Sequence, residues 1–135
     1  MKITNRFYSK QRIKERKNEK LRLTPLSIAR TAGKLALTKK GYDIKILKLK
    51  NLTSVCDYFV IVSGDVDVHV KAIAETIDNG LLDLGVKPWH REGVRGGKWV
   101  LLDYVDVVVH IFQKSARDFY ALEKFWGDAP VEIIN

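Results

Sequence analysis

The chain has 135 residues, 46% of them apolar and 30% charged, the proportions of one folded domain with a sizeable core. No run approaches the ~20 apolar residues that a membrane-crossing helix needs, and the single cysteine, Cys56, excludes an internal disulfide and a Cys-rich zinc site. The net charge of +8 is uneven: residues 1–50 hold 16 Lys/Arg against 3 Asp/Glu, whereas residues 51–135 hold 8 against 13.

Most of the excess lies earlier still, with 9 basic and 2 acidic residues in positions 1–23. Residues 1–23 therefore read as a basic arm, disordered by composition, and residues 24–135 as the domain. Such an arm is either a solvated tail or a segment that meets phosphate. It lacks the apolar core of a secretory signal, and Glu15 and Glu19 argue against a transit peptide. A lone cysteine is compatible with a reducing cytoplasm, the expected compartment in a bacterium, with an organelle as the alternative if the source is eukaryotic.

Thr24-Pro25 reads as an N-cap followed by proline at the first helical position. Ile28, Ala32, Leu35 and Ala36 then share a helical face, and Gly41 is positioned to supply a left-handed stop. Asp43–Leu49 alternates with apolar residues on both faces, which predicts a strand covered at least partly on both sides. Asp57–Ser63 (DYFVIVS) is dense in aromatic and β-branched residues and predicts a buried strand. Gly64 breaks it, Asp65 is a candidate cap, and Val70, Ile73, Ala74, Ile77, Leu81 and Leu84 form an apolar stripe at helical spacing that ends at Gly85.

Val86–Glu92 reads as a short polar strand, and Pro88 puts it near a sheet edge. Lys98–Tyr104 and Val107–Gln113 follow as strands whose short link, Val105-Asp106, favours an antiparallel hairpin. Ser115–Asp118 resembles a capping box, with Phe119, Leu122 and Trp126 as the apolar face of a last helix ended by Gly127 and Pro130. The helix between Ser63 and Val86 is a crossover, so part of the sheet is parallel. The expected fold is α/β, a mixed five-stranded sheet flanked by helices.

Candidate chemistry is sparse. Asp65 and Asp67 invite comparison with the magnesium-holding carboxylates of nucleotidyltransferases, but both sit where a helix dipole favours acids with no metal present. Asp103, Asp106 and His110, with Ser63 as an imagined nucleophile, lack a nucleophile-elbow motif. His69, His90 and His110 show no metal-ligand spacing. Gly93–Gly97 (GVRGG) enters a strand, unlike a phosphate loop feeding a helix. The expectation is a chain with no catalytic residue, cofactor or metal. The strand Lys98–Tyr104 is the most informative: Trp99, Leu101 and Asp103 share one face, and if helices cover only the other, they form an exposed aromatic-aliphatic pair beside a carboxylate, the makeup of a protein-binding hot spot.

Asp57–Gly64 (DYFVIVSG) resembles a hallmark of the ribosomal silencing factor family, also called Iojap-related proteins. The likeness continues through Val70–Ala74, Glu92-Gly93, Trp99–Tyr104, Asp106–Phe112 (DVVVHIF), Arg117, Phe119-Tyr120, Leu122-Glu123 and Trp126. The resemblance implies a non-catalytic fold similar to nucleotidyltransferases without their active site. It implies binding to the large ribosomal subunit through the ribosomal protein numbered fourteen, a block to joining of the small subunit, repressed translation, and a homodimer in isolation. It assigns the partner-facing surface to Trp99, Leu101 and Asp103, with Glu92 as a neighbour. Contacts to ribosomal RNA are then expected from Arg12, Lys14, Arg16 and Lys17 in the arm. The chain departs from the family at Val66 (often a small polar residue), Val105 (usually glycine) and Cys56 (a small residue).

Overall fold

The computed structural model describes residues 23–135. The arm contacts expected at Arg12, Lys14, Arg16 and Lys17 lie outside the described residues. Helix α1 (Pro25–Thr38) begins at a reciprocal cap: Ser27 N–H donates to Thr24 Oγ1 at 3.1 Å, and Thr24 N–H donates to Ser27 Oγ at 3.0 Å. It ends with Lys40 N–H on the Leu37 carbonyl and Gly41 N–H on the Ala36 carbonyl, both at 2.9 Å, the double bond pattern of a Schellman stop. The left-handed residue is Lys40 (φ 60), not Gly41 as expected. Gly41 is required for space instead, because a Cβ there would sit 2.9 Å from Val62 Cγ1.

Strand β1 (Tyr42–Lys48) pairs antiparallel with β2 (Tyr58–Gly64), with an irregularity between Tyr42 and Lys45 where Asp43 takes φ 52. Helix α2 (Asp67–Asp83) crosses over to the short strand β3 (His90–Glu92). Its N-cap is Val66, which offers no side-chain bond, so Asp65 is not the cap; Asp65 N–H instead donates to His69 Nδ1 at 2.9 Å. Gly85 (φ 84) ends α2 as expected.

Strands β4 (Trp99–Asp103) and β5 (Val107–Gln113) form the expected hairpin. Its turn carries Val105 at φ 74, the conformation a glycine would take. A β-branched residue there costs about 1–3 kcal/mol. Val105 is fully buried, which returns about 1.5–3 kcal/mol, so burial offsets the strain. The segment 114–126 is two short helices, α3 (Lys114–Tyr120) and α4 (Leu122–Phe125), separated by left-handed Ala121. Helix α3 starts directly after Gln113, so Ser115 lies inside it and caps nothing.

The sheet has six strands, not five. The order is β3-β4-β5-β2-β1-β6, with β6 (Val131–Ile134) added beside β1 at one edge and β3 at the other. Among the described residues, only β2 and β5 run parallel; the remaining pairs are antiparallel. α1 and α2 cover one face, burying Ile28, Ile73, Ile77 and Leu81 against Ile46, Val60, Val100 and Leu102. The opposite face has a smaller cluster, with Leu47, Phe59, Ile61, Leu101 and Phe112 under Leu122 and Trp126. The second cluster thins out toward β4 and β3, which leaves that end of the sheet as the candidate site.

Candidate protein-binding site

Strand register builds the site. Glu92 opposes Leu101, and Leu101 opposes His110; His90 opposes Asp103; Trp99 opposes Phe112. Directly opposed residues project from the same face, so the expected trio Trp99, Leu101 and Asp103 does share one surface with Glu92. Their exposure differs from the expectation. Leu101 and Asp103 are each only 3% exposed, while Trp99 and Glu92 are half-buried.

The reason lies in residues distant in sequence. The Trp99 indole stacks on Phe112 with centroids 4.9 Å apart and meets the Tyr120 ring of α3 at 4.7 Å. Its Nε1–H donates to His110 Nδ1 at 3.0 Å. The result is a pocket of about 190 Å³ lined by Glu92, Gly93, Trp99 and Leu101. Leu101 is its floor, Trp99 a wall and Glu92 a charged side. Gly93 (φ 77) is obligatory, because a Cβ there would collide with the Trp99 carbonyl oxygen. Asp103 does not line the pocket; its Oδ1 accepts from Val105 N–H at 2.8 Å and pins the hairpin turn.

Beside the pocket the surface is aromatic. Tyr120 stands half-exposed against Trp99, and Phe119, 5.1 Å from Tyr120, is 81% exposed. Phe119 was expected on the buried face of one continuous helix. Ala121 at φ 49, ψ 45 rotates the chain between α3 and α4, so Leu122 and Trp126 turn inward while Phe119 and Phe125 (77% exposed) turn out.

A second feature missed from sequence anchors this segment. Arg117, 5% exposed, donates from Nη1 to the Asp43 carbonyl at 2.6 Å and to Ser63 Oγ at 2.8 Å, and from Nε to Glu123 Oε1 at 2.8 Å. Glu123 also accepts from Lys45 Nζ at 3.1 Å. The Arg117 bond, reinforced by Lys45, holds the Glu123 carboxyl below its ordinary pKa. On the helical face, burial pushes the Tyr104 hydroxyl well above its ordinary range while it donates to Asp78, which also holds Arg91 of β3.

The polar atoms of the imagined nucleophilic set are engaged by other groups. Ser63 Oγ accepts from Arg117, His110 Nδ1 from Trp99 and Asp103 Oδ1 from Val105. Asp65 projects into solvent. Among the described residues, no group of three or more His, Cys, Asp or Glu side chains is arranged to hold a metal ion, and no helix is long and apolar enough to cross a membrane.

A family model described as ribosomal silencing factor during starvation matches residues 23–135. The chain is 41% identical over 109 residues to the ribosomal silencing factor RsfS of Bacillus subtilis, covering 81% of this chain and 92% of that one. It is 34% identical over 112 residues to the chloroplastic protein Iojap of Zea mays, covering 80% of this chain and 47% of the relative. A crystal structure of a Chromobacterium violaceum protein superposes with a TM-score of 0.76 at 35% identity, over 78% of this chain and 88% of that one. A second, from Bacillus halodurans, gives 0.68 at 33% identity, over 77% and 94%. The family match extends over all the described residues, and the chain belongs to the ribosomal silencing factor family.

Proposed function

We propose that this protein binds the large ribosomal subunit through the ribosomal protein numbered fourteen and sterically blocks joining of the small subunit, so repressing translation. No covalent step, cofactor or metal enters this reading. The observation that carries it is the pocket at the open end of the sheet, where Trp99 and Leu101 offer apolar surface beside the Glu92 carboxylate. Aromatic residues in a partly desolvated pocket are the usual anchors of protein interfaces. Glu92, together with the excess of 13 acidic over 8 basic residues in positions 51–135, suits a basic partner such as a ribosomal protein. Asp103 acts in this reading through the hairpin turn that it holds. The same aromatic surface serves a homodimer when the protein is free. In a bacterium the site of action is the cytoplasm, where ribosomes are.

The basic arm adds affinity for ribosomal RNA phosphates through Arg12, Lys14, Arg16 and Lys17. Each neutralised phosphate steepens the salt dependence of binding. Deletion of residues 1–22 is therefore expected to flatten the dependence of affinity on salt; an unchanged slope removes the arm from the interaction.

Co-sedimentation with purified large subunits tests the surface. Trp99→Ala is expected to weaken binding by about 30-fold, as hot-spot truncations do, and Glu92→Lys to weaken it by reversing the charge at the pocket. Normal affinity in both folded variants would refute the assigned surface.

A further inference from the structure

His110 is the one polar residue among the buried positions Val107–Phe112 of β5, and it is fully enclosed. Phe59 meets its ring edge-on at 4.5 Å, and Phe112 lies parallel at 6.1 Å. A buried imidazole in such surroundings needs a reason, and the Trp99 indole supplies one. An indole nitrogen only donates, so His110 Nδ1 is the acceptor of the 3.0 Å bond and the ring carries its proton on Nε2.

We infer that His110 is a positioning residue for partner recognition: from inside the sheet, it fixes the orientation of the indole that walls the docking pocket. Stacking on Phe112 and Tyr120 restrains the plane of the Trp99 ring, but stacking is tolerant of a flipped ring. The hydrogen bond distinguishes the two faces, because only one orientation points Nε1 at Nδ1. Leu101 stands between Glu92 and His110 in the strand register, so the same cross-strand row supplies the pocket's charge, its floor and the acceptor that sets its wall. A preorganised aromatic anchor loses less freedom on binding than one that must be oriented in the complex. The residue thus influences affinity without reaching the surface. This inference rests on the reading of the pocket as the ribosome-docking surface.

A double-mutant cycle on the full chain, with affinity for purified large ribosomal subunits as readout, tests it. His110→Leu removes the acceptor and is expected to weaken binding about fivefold or more. His110→Asn, whose amide oxygen approximates the position of Nδ1, is expected to recover most of the loss. Trp99→Phe has no N–H, so adding His110→Leu to it should cost nothing further. Proton NMR of the unbound wild-type chain gives a readout independent of any variant's folding: the Trp99 indole proton should be protected from exchange. Wild-type affinity in His110→Leu, an equal loss in the Trp99→Phe background, or an unprotected indole proton in the wild type would overturn the inference. If the wild type binds large subunits and the cycle is additive, His110 loses its role alone; if the wild type does not bind them, the docking reading falls and the inference with it.

Discussion

Arg117 shows how one side chain can hold distant parts of a chain together. Its guanidinium joins the start of β1, the end of β2 and helix α4 through Asp43, Ser63 and Glu123. The bond to Glu123 leaves that carboxyl with a pKa below its ordinary value of 4.5. A group whose pKa is lower folded than unfolded stabilises the fold above the unfolded value, and the contribution disappears as pH falls through the folded value. Because Glu123 keeps substantial contact with water, the effect is modest. Glu123→Gln is expected to cost about 1 kcal/mol at pH 7. In calorimetric melts, the gap between wild type and variant should hold down to about pH 5 and close below the ordinary value of 4.5; a gap that widens on acidification would contradict the assignment. Neither this network nor the Trp99–His110 bond was legible in the sequence. Each joins residues from separate elements, and no local pattern marks the pairing. Alternation did give the shared face of Trp99, Leu101 and Asp103; it was silent on the rings of Phe112 and Tyr120 that close around Trp99.

At the scale of elements, strong local patterns were reliable and phase-dependent readings were not. The stripe from Val70 to Leu81 gave α2, although its sixth member, Leu84, is the exposed C-cap, and the dense apolar runs gave β2 and β5. The last helix was misread because Ala121 adopts a left-handed conformation that alanine does not advertise, so spacing across it lost its meaning. Strand β6 was missed because four residues at the chain end carry too short an alternation, and its stability comes from pairing with β1. The start of α2 carries a correctable defect: Val66 occupies the N-cap in an extended conformation with no side-chain bond. Val66→Ser should supply the missing acceptor and raise stability by about 1 kcal/mol, with binding unchanged because the cap lies outside the pocket. Thermal melts check this directly; a lower midpoint would show that the half-exposed valine makes packing contacts that outweigh the cap.

On the scale of the whole molecule, the two long helices pack on one face of the sheet, while the other face is closed only in part. The long helices α1 and α2 build the main core; the short α3 and α4 complete a smaller one and stop at the Trp99 wall. A chain needs the first core to fold. The partial second core is what leaves an apolar, acid-edged pocket open at the surface. Charge is divided along the sequence, with the basic excess before residue 51 and the acidic excess after it.

In the proposed function, occupancy of the large subunit by this domain prevents the two subunits from joining. Purified large and small subunits, mixed with the protein in excess and resolved on a sucrose gradient, test it most directly. The protein is expected to travel with the large subunit and to lower the yield of intact ribosomes, with Trp99→Ala restoring them. Undiminished joining while the protein saturates the large subunit would contradict it.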